Sequence, residues 1–467
     1  MCKETLTKAE PNLRREREEL ILTRKDVLES ADPDKLLLLI IGSDIYDVTR
    51  WQYNHPGAPF CIRALCGKDA TEPFMGTHPA KVLPTLKNFH YATLKDDKVD
   101  KVTQDYRELT AVMEKENMFE TDYFYYAKLF AWLACIFVSV LAGVLLSDNF
   151  GVHCVSGVLL GMFWQQTAFV GHDLGHNGIS HSRNIDSKLG LFFGNFCTGV
   201  GIGWWKRSHN THHVCTNTVE DDPDIQHLPI FALHKKFLEA PVYSSFYNRY
   251  LPLSAVTHAL VKYQHWTYYP VMAFARFNLY AQGILQAMRV GAYVNDTPKG
   301  AQKVDLALLV GFWVWLVSLV LCLPTWKSRV AFFVLSHNVA GLLHVQITLS
   351  HFSMPIYSRG EMAEDNCNSF VKEQIATGMD VDCHPWMDWF HGGLQFQVVH
   401  HLWPRVPRHN LRKLQTRLVE FCKKHEIRYH RATFYEANRQ TIAKLRETAA
   451  HTDSLSEIFS DSANLNG

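Results

Sequence analysis

LFAWLACIFVSVLAGVLL, residues 129–146, runs for eighteen residues without a charge. As a helix it would be about 27 Å long, close to the hydrocarbon thickness of a bilayer. Three further stretches share this character: Val152–Val170, Leu306–Leu323 and Val330–Leu349 carry no Lys, Arg, Asp or Glu over 19, 18 and 20 residues. The competing reading is a set of buried helices in a large soluble protein. Four such runs in two close pairs argue instead for membrane spans.

The pairs are tight. Only SDNFG separates the first two runs, and only PTWKSR the last two. Each pair therefore reads as a helical hairpin, and two crossings return the chain to its starting side. Residues 1–128, 171–305 and 350–467 are then expected in one compartment. They hold nearly all the charge, including Lys206, Arg207, Arg405 and Arg408. Excess Lys and Arg marks the cytosolic side. Residues 251–290 are apolar but broken by Lys262 and Arg276, which reads as interfacial amphipathic helices. One more pair of crossings there would leave the sidedness unchanged.

Composition narrows the function. The 467 residues are 47% hydrophobic with a net charge of +1, so no overall field points to nucleic acid. The 11 cysteines form no CxxC pair and read as free thiols in a reducing compartment. Histidine is the unusual count, at 25. Residues 1–19 read as a charged leader without a signal-peptide core. The end, HTDSLSEIFSDSANLNG, reads as disordered.

Residues 20–100 form a separate unit. KLLLLIIGSDIYDVTRW offers two short apolar runs around a Gly-Ser-Asp turn, a hairpin signal. IYDVTRWQYNHPGAPF and GKDATEPFMGTHP follow, with His55 and His78 each before a proline. This pattern resembles the cytochrome b5 domain. The resemblance implies haem b held between His55 and His78. Filling both axial positions leaves no site for oxygen and suits electron transfer. The chain departs from the family's His-Pro-Gly-Gly pattern: Ala58 and Pro59 follow Gly57. That change strains the turn if the position needs a positive φ.

Three histidine clusters follow the spans: HDLGH (His172, His176), HNTHH (His209, His212, His213) and QVVHH (Gln397, His400, His401). Helical residues three or four apart share a face, and imidazole suits iron, zinc and copper. Single histidines such as His265 and His337 read as ordinary packing or interfacial residues. Seven at ligand spacing, on one membrane side, read as one metal site. A structural zinc takes about four ligands, so the set better suits two ions.

The boxes, the spans and the fused haem unit together resemble the membrane front-end desaturases over nearly the whole chain. That resemblance implies a mainly α integral membrane protein: four spanning helices in two hairpins with a cytosolic cap, preceded by a small α+β haem domain. The expected division is leader 1–19, haem domain 20–100, linker 101–128, desaturase domain 129–430 and tail 431–467. It further implies a di-iron centre, O2 as co-substrate, and electrons from NADH through cytochrome b5 reductase and the fused haem. The expected location is the endoplasmic reticulum membrane, with boxes and haem domain facing the cytosol. Iron is needed because a methylene C–H is beyond acid/base chemistry and zinc is not redox active.

The family also points to His351, in LLHVQITLSHF, as a further ligand, with His344 a weaker candidate. Asp173, Asp222 and Asp224 are placed either to orient ligand histidines or to cap helices and loops. His181, His227 and His391 have no assigned role. GWWKRSHNTHH, LSHFSMP and WFHGGLQFQVVHHLWPRVPRHNLR look most like sphingolipid Δ8 desaturases, with Phe352 after His351 as one clue. The expected substrate is a sphingoid long-chain base or ceramide. Δ6, Δ5 or Δ8 desaturation of an acyl chain is the alternative. A membrane hydroxylase would typically carry His where this chain has Gln397. An electron-relay haem protein would not need the boxes, and a zinc hydrolase or receptor is separable by metal content. Gln397 offers an amide carbonyl and an NH2 group, so it is expected to ligate a metal or to hydrogen-bond beside it.

Overall fold

The computed structural model describes residues 20–57, 59–291, 301–359, 361 and 369–464. The leader expected at 1–19 and the substituted haem-loop residue Ala58 lie outside these.

The first unit is a four-stranded sheet of order β1-β4-β3-β2, built from β1 (Ile21–Leu22), β2 (Leu38–Ile41), β3 (Asp44–Asp47) and β4 (His90–Leu94). The expected hairpin is β2–β3, antiparallel with Ile41 opposite Asp44. Gly42 turns it at φ +67°, where glycine carries no Cβ penalty. Helix α1 (Arg24–Ser30) follows β1, while α2 (Pro59–Arg63) and α3 (Thr71–Thr77) precede β4. Leu37, Leu39, Ile41, Val48 and Ile62 form the buried core under α2 and α3.

The segment read as a linker holds α4 (Lys101–Lys115), started by Asp100, whose carboxylate accepts from the Val102 and Thr103 amides. α4 is packed: Tyr106 stacks on Trp403 at 5.1 Å and donates to the Leu402 carbonyl at 2.8 Å.

The apolar runs become helices with polar caps. α5 (Tyr123–Leu145) starts at Asp122 and α6 (Phe150–Gly175) at Asn149. After α7 (Arg183–Gly190), a π-helical turn at Leu191–Thr198 and α8 (Ile202–Val214) come three short helices: α9 (Ala255–Lys262), α10 (Gln264–Phe274) and α11 (Arg276–Ala287). Then come α12 (Ala301–Leu321), α13 (Trp326–Ala340) and α14 (Leu342–Phe352).

Among the described residues three helical stretches are long and apolar enough to cross a membrane: Tyr123–Leu145, Gln302–Leu321 and Trp326–Phe352. The fourth expected span, Val152–Val170, lies in α6 and is not among them. α6 has the length, at 26 residues, but carries His153, Gln165 and Gln166 and is buried along most of its course. It is the central helix. The apolar window of α5, by contrast, is only 22% buried within the protein.

Gly157 and Gly161 let α6 meet α13 closely. A Cβ there would stand 2.8 Å from the Phe332 carbonyl and 2.6 Å from that of Ser336, a small-xxx-small contact typical of membrane helices. His153 ties the two short loops together: its Nε2–H donates to the Ser147 carbonyl at 2.7 Å and its Nδ1 meets Ser328 Oγ at 3.0 Å. Both α6 and α13–α14 therefore start at the loop end and finish at the histidine end.

None of α9, α10 or α11 exceeds 12 residues, too short to cross. One charge of this region, Arg276, does not lie at a surface. It is fully buried, donates to Tyr280 Oη at 2.6 Å and lies over the Trp164 ring at 4.5 Å. A cation can sit there because ring faces and carbonyls replace water.

The remaining elements cap the histidine end: α15 (Phe370–Thr377), β5 (Asp380–Asp382), α16 (Gln397–Leu402), α17 (Arg408–Lys424), β6 (Arg431–Thr433) and α18 (Phe434–Asn464), with β5 and β6 parallel. Much of the end that reads as disordered thus continues α18.

Candidate metal centre

Each histidine cluster reaches the centre from a helix end. His172 lies in the last turn of α6 and His176 caps it. His209, His212 and His213 occupy one face of the second half of α8. Gln397, His400 and His401 belong to α16, a helix of only six residues. Its start is fixed by buried Asp380, whose Oδ1 accepts from the Val398 amide at 2.9 Å. His351 comes from the last turn of α14.

The rings gather into two groups. His172, His176, His209 and His400 form one; His212, His351 and His401 form the other; in each, the candidate ligand atoms lie within 4.8 Å of one another. His213 joins them: its Nε2 is 3.1 Å from Nε2 of both His209 and His400, and its ring stacks on His401 at 4.2 Å. His212 and His351 face each other through Nε2 at 3.4 Å. Two nitrogens each about 2 Å from one ion on adjacent positions stand about 3 Å apart. Nε2 of His172 and of His176 are buried without a hydrogen-bond partner. The residues present therefore fit bound metal.

The second group is oriented from behind. His212 Nδ1–H donates to Asp222 Oδ2 at 2.9 Å, His401 Nδ1–H to Gln374 Oε1 at 2.7 Å, and His351 Nδ1–H to the Thr377 carbonyl at 3.2 Å. Each bond fixes the tautomer and leaves Nε2 as the electron-pair donor. Asp222 is itself held by the Asn217 amide at 2.7 Å. The first group is held more loosely: Asp224 lies 3.8 Å from His209 Nδ1 and Asp173 3.9 Å from His172 Nδ1. Asp173 is anchored by Arg408 at 2.6 Å and Tyr126 at 2.8 Å.

Electrostatics favour ligand-ready imidazoles. Burial pushes His209 down to about 3 and drives His213, His400 and His401 far below the ordinary histidine value. A neutral ring is the form that binds metal. His212 is the exception: burial lowers it, but Asp222 and Asp224 more than offset that and hold it at about 9.

Gln397 is buried with its amide Nε2 3.2 Å from His401 Nε2, at the edge of the second group. His344 is buried two turns before His351, and its ring nitrogens have no partner; it is outside both groups. His181 meets Thr121 at 2.9 Å, His227 bonds the Asp224 carbonyl at 2.8 Å, and His391 packs on Phe434. Sequence reasoning missed Gln374, which no motif marks. It also missed Trp205, stacked on His209 at 4.4 Å, although GWWKRSHNTHH contains it.

In the first unit, His55 and His78 face each other with ring centroids 5.8 Å apart, room for one ion bonded to a nitrogen of each at about 2 Å. His78 Nδ1–H donates to the Phe74 carbonyl at 3.0 Å, leaving Nε2 for a metal. These two residues therefore fit the axial ligand set of a haem.

Comparisons with known proteins agree with this division. The fatty acid desaturase family matches residues 149–433, and the cytochrome b5-like heme/steroid binding domain matches residues 23–123. The chain is 37% identical to the acyl-lipid (9-3)-desaturase of Borago officinalis, covering 91% of this chain and 92% of that protein. It is 38% identical to the delta(8)-fatty-acid desaturase of Helianthus annuus, covering 92% and 91%. It is 39% identical to the delta 8-(E)-sphingolipid desaturase of Emericella nidulans, covering 80% and 67%.

Proposed function

The chain belongs to the fatty acid desaturase family, with a cytochrome b5-like domain fused ahead of it, and from that premise we propose a front-end lipid desaturase acting at Δ8 of sphingoid long-chain bases. The observation that carries the oxidative part is the convergence of all three boxes and His351 on two adjoining nitrogen-rich groups, with His213 touching both.

His172, His176, His209 and His400 would hold one iron, and His212, His351 and His401 the other, with His213 between them. Bound there, iron with O2 and electrons supplies an oxidant strong enough to take hydrogen from an unactivated methylene. The protein's part is orientation and exclusion of water. Asp222, Gln374 and the Thr377 carbonyl set the second group's rings, and Asp173 and Asp224 back the first. Gln397, beside His401, holds a position where it ligates or hydrogen-bonds at the second ion. His55 and His78 would hold haem b, re-reduced by an NADH-dependent cytochrome b5 reductase. The working location is the endoplasmic reticulum membrane, with boxes and haem domain in the cytosol.

The sphingoid reading draws on the sphingolipid relative, on the box sequences and on Phe352 beside His351, buried in the core and 5.7 Å from His227. Desaturation of an acyl lipid is the second reading, favoured by the Borago officinalis relative. Expression in a host without sphingoid desaturation, with profiling of long-chain bases and fatty acids, separates them. New double bonds in long-chain bases are expected; new double bonds confined to fatty acids would overturn the substrate assignment.

A further inference from the structure

Helix α8 has two working faces. His209, His212 and His213 point to the metal centre. Arg207, Asn210 and Val214, at i, i+3 and i+7, share the opposite face, and each meets the haem domain. The Arg207 guanidinium lies against two neighbouring rings, 4.6 Å from Phe60 of α2 and 4.1 Å from Phe246, and donates to the Phe246 carbonyl at 3.2 Å. Arg207 is 3% exposed. Asn210 stands against Gly57, two residues after His55: a Cβ on Gly57 would lie 3.5 Å from Asn210 Nδ2. Val214, next to His213, packs on the haem domain's own core.

The His78 loop docks too. A Cβ on Gly76, two residues before His78, would lie 3.5 Å from the Leu402 carbonyl and 3.7 Å from Pro404. A narrow crevice of about 10 Å³ runs between Glu72, Gly76 and Thr77 on one wall and His213, His401 and Pro404 on the other. Arg107 of α4 closes the edge, bonding Glu72 at 2.7 Å. Both axial-ligand loops thus rest on the backs of the helices that carry the second and third boxes.

We propose that the Arg207–Asn210–Val214 face of α8 is the docking surface for the chain's own haem domain, with Phe60 its anchor, and that this docked pose is the one that feeds electrons to the metal centre. Arg207 and Phe60 are positioning residues. One short helix then presents the ligands on one side and receives the donor on the other. Each transfer moves one electron and no atom: a haem held by His55 and His78 goes from ferrous to ferric, and an ion held by the ligand face goes from ferric to ferrous. A flavoprotein reductase using NADH restores the ferrous haem. The inference rests on the two-cofactor reading above, but on neither substrate.

The test uses the full chain with Phe60 changed, because Phe60 is in neither ligand set. Phe60→Lys replaces the ring over Arg207 with a like charge; Phe60→Tyr keeps the ring. Backbone hydrogen exchange without turnover is expected to rise in α2 and around Asn210–Cys215 for Phe60→Lys only. Reoxidation of the reduced haem by the centre should slow by about tenfold or more in Phe60→Lys, with the haem spectrum unchanged. Adding a separate cytochrome b5 should restore product. Unchanged exchange and unchanged reoxidation in Phe60→Lys would overturn the proposal. A wild-type chain lacking a haem spectrum or non-haem iron would instead mark failure of the underlying reading.

Discussion

The two histidine sites of this molecule are built in opposite ways. The pair His55 and His78 comes from neighbouring loops of one small domain, 5.8 Å apart. The larger centre gathers rings from the ends of α6, α8, α14 and α16, elements scattered from residue 172 to residue 401. A local pair needs two side chains and a fixed tautomer. A site assembled across the fold needs backing groups that fix the orientation and tautomer of each buried ring. His78 of the local pair is accordingly served by a backbone carbonyl, from Phe74. The centre uses Asp222, Gln374 and the Thr377 carbonyl for one group of three.

The comparison is broken most severely by removing a ligand. His212→Ala is expected to abolish product and deplete non-haem iron while the haem spectrum persists, read by lipid profiling and metal analysis. His55→Ala should do the reverse: the haem spectrum disappears, non-haem iron stays, and most product is lost. If His55→Ala retained full turnover, a separate cytochrome b5 would be supplying the electrons.

Smaller changes sharpen it. Asp222→Asn keeps the shape behind His212 but removes the charge, so iron affinity should fall about 10- to 100-fold, measured by titration with a chelator. Asp173→Asn, 3.9 Å from His172, should cost less. A separate effect, on stability alone, concerns Asp380, whose carboxyl burial pushes up to about 6. Unfolded, it titrates near 3.9. Between those values the folded chain binds the extra proton, so this residue's contribution weakens as pH rises from 4 to 6, by about 3 kcal/mol at most. Thermal midpoints of Asp380→Asn should lose that part of the pH dependence.

Much of this was legible in the sequence, for identifiable reasons. Uncharged runs report apolar helices because charge is costly in hydrocarbon, and box spacing reports convergent histidines because helix geometry puts those positions on one face. Sequence patterning did not show where tertiary packing buries polar groups. α6 reads as a span like the others, yet His153, Gln165 and Gln166 find partners inside the bundle. Arg276 reads as interfacial, yet Trp164, Tyr280 and the Thr198 carbonyl enclose it. Gln374 was invisible because its role depends only on where α15 lands beside His401. The second face of α8 was hidden by its first: HNTHH draws attention to the histidines, and Asn210 between them looks like a spacer.

The central claim is that one chain carries a redox-active metal pair and a haem to feed it. Metal and haem analysis of the purified full-length protein tests it most directly. The account predicts about two non-haem irons and about one haem per chain, with His212→Ala lowering only the iron and His55→Ala only the haem. Stoichiometric zinc with neither iron nor haem would contradict it.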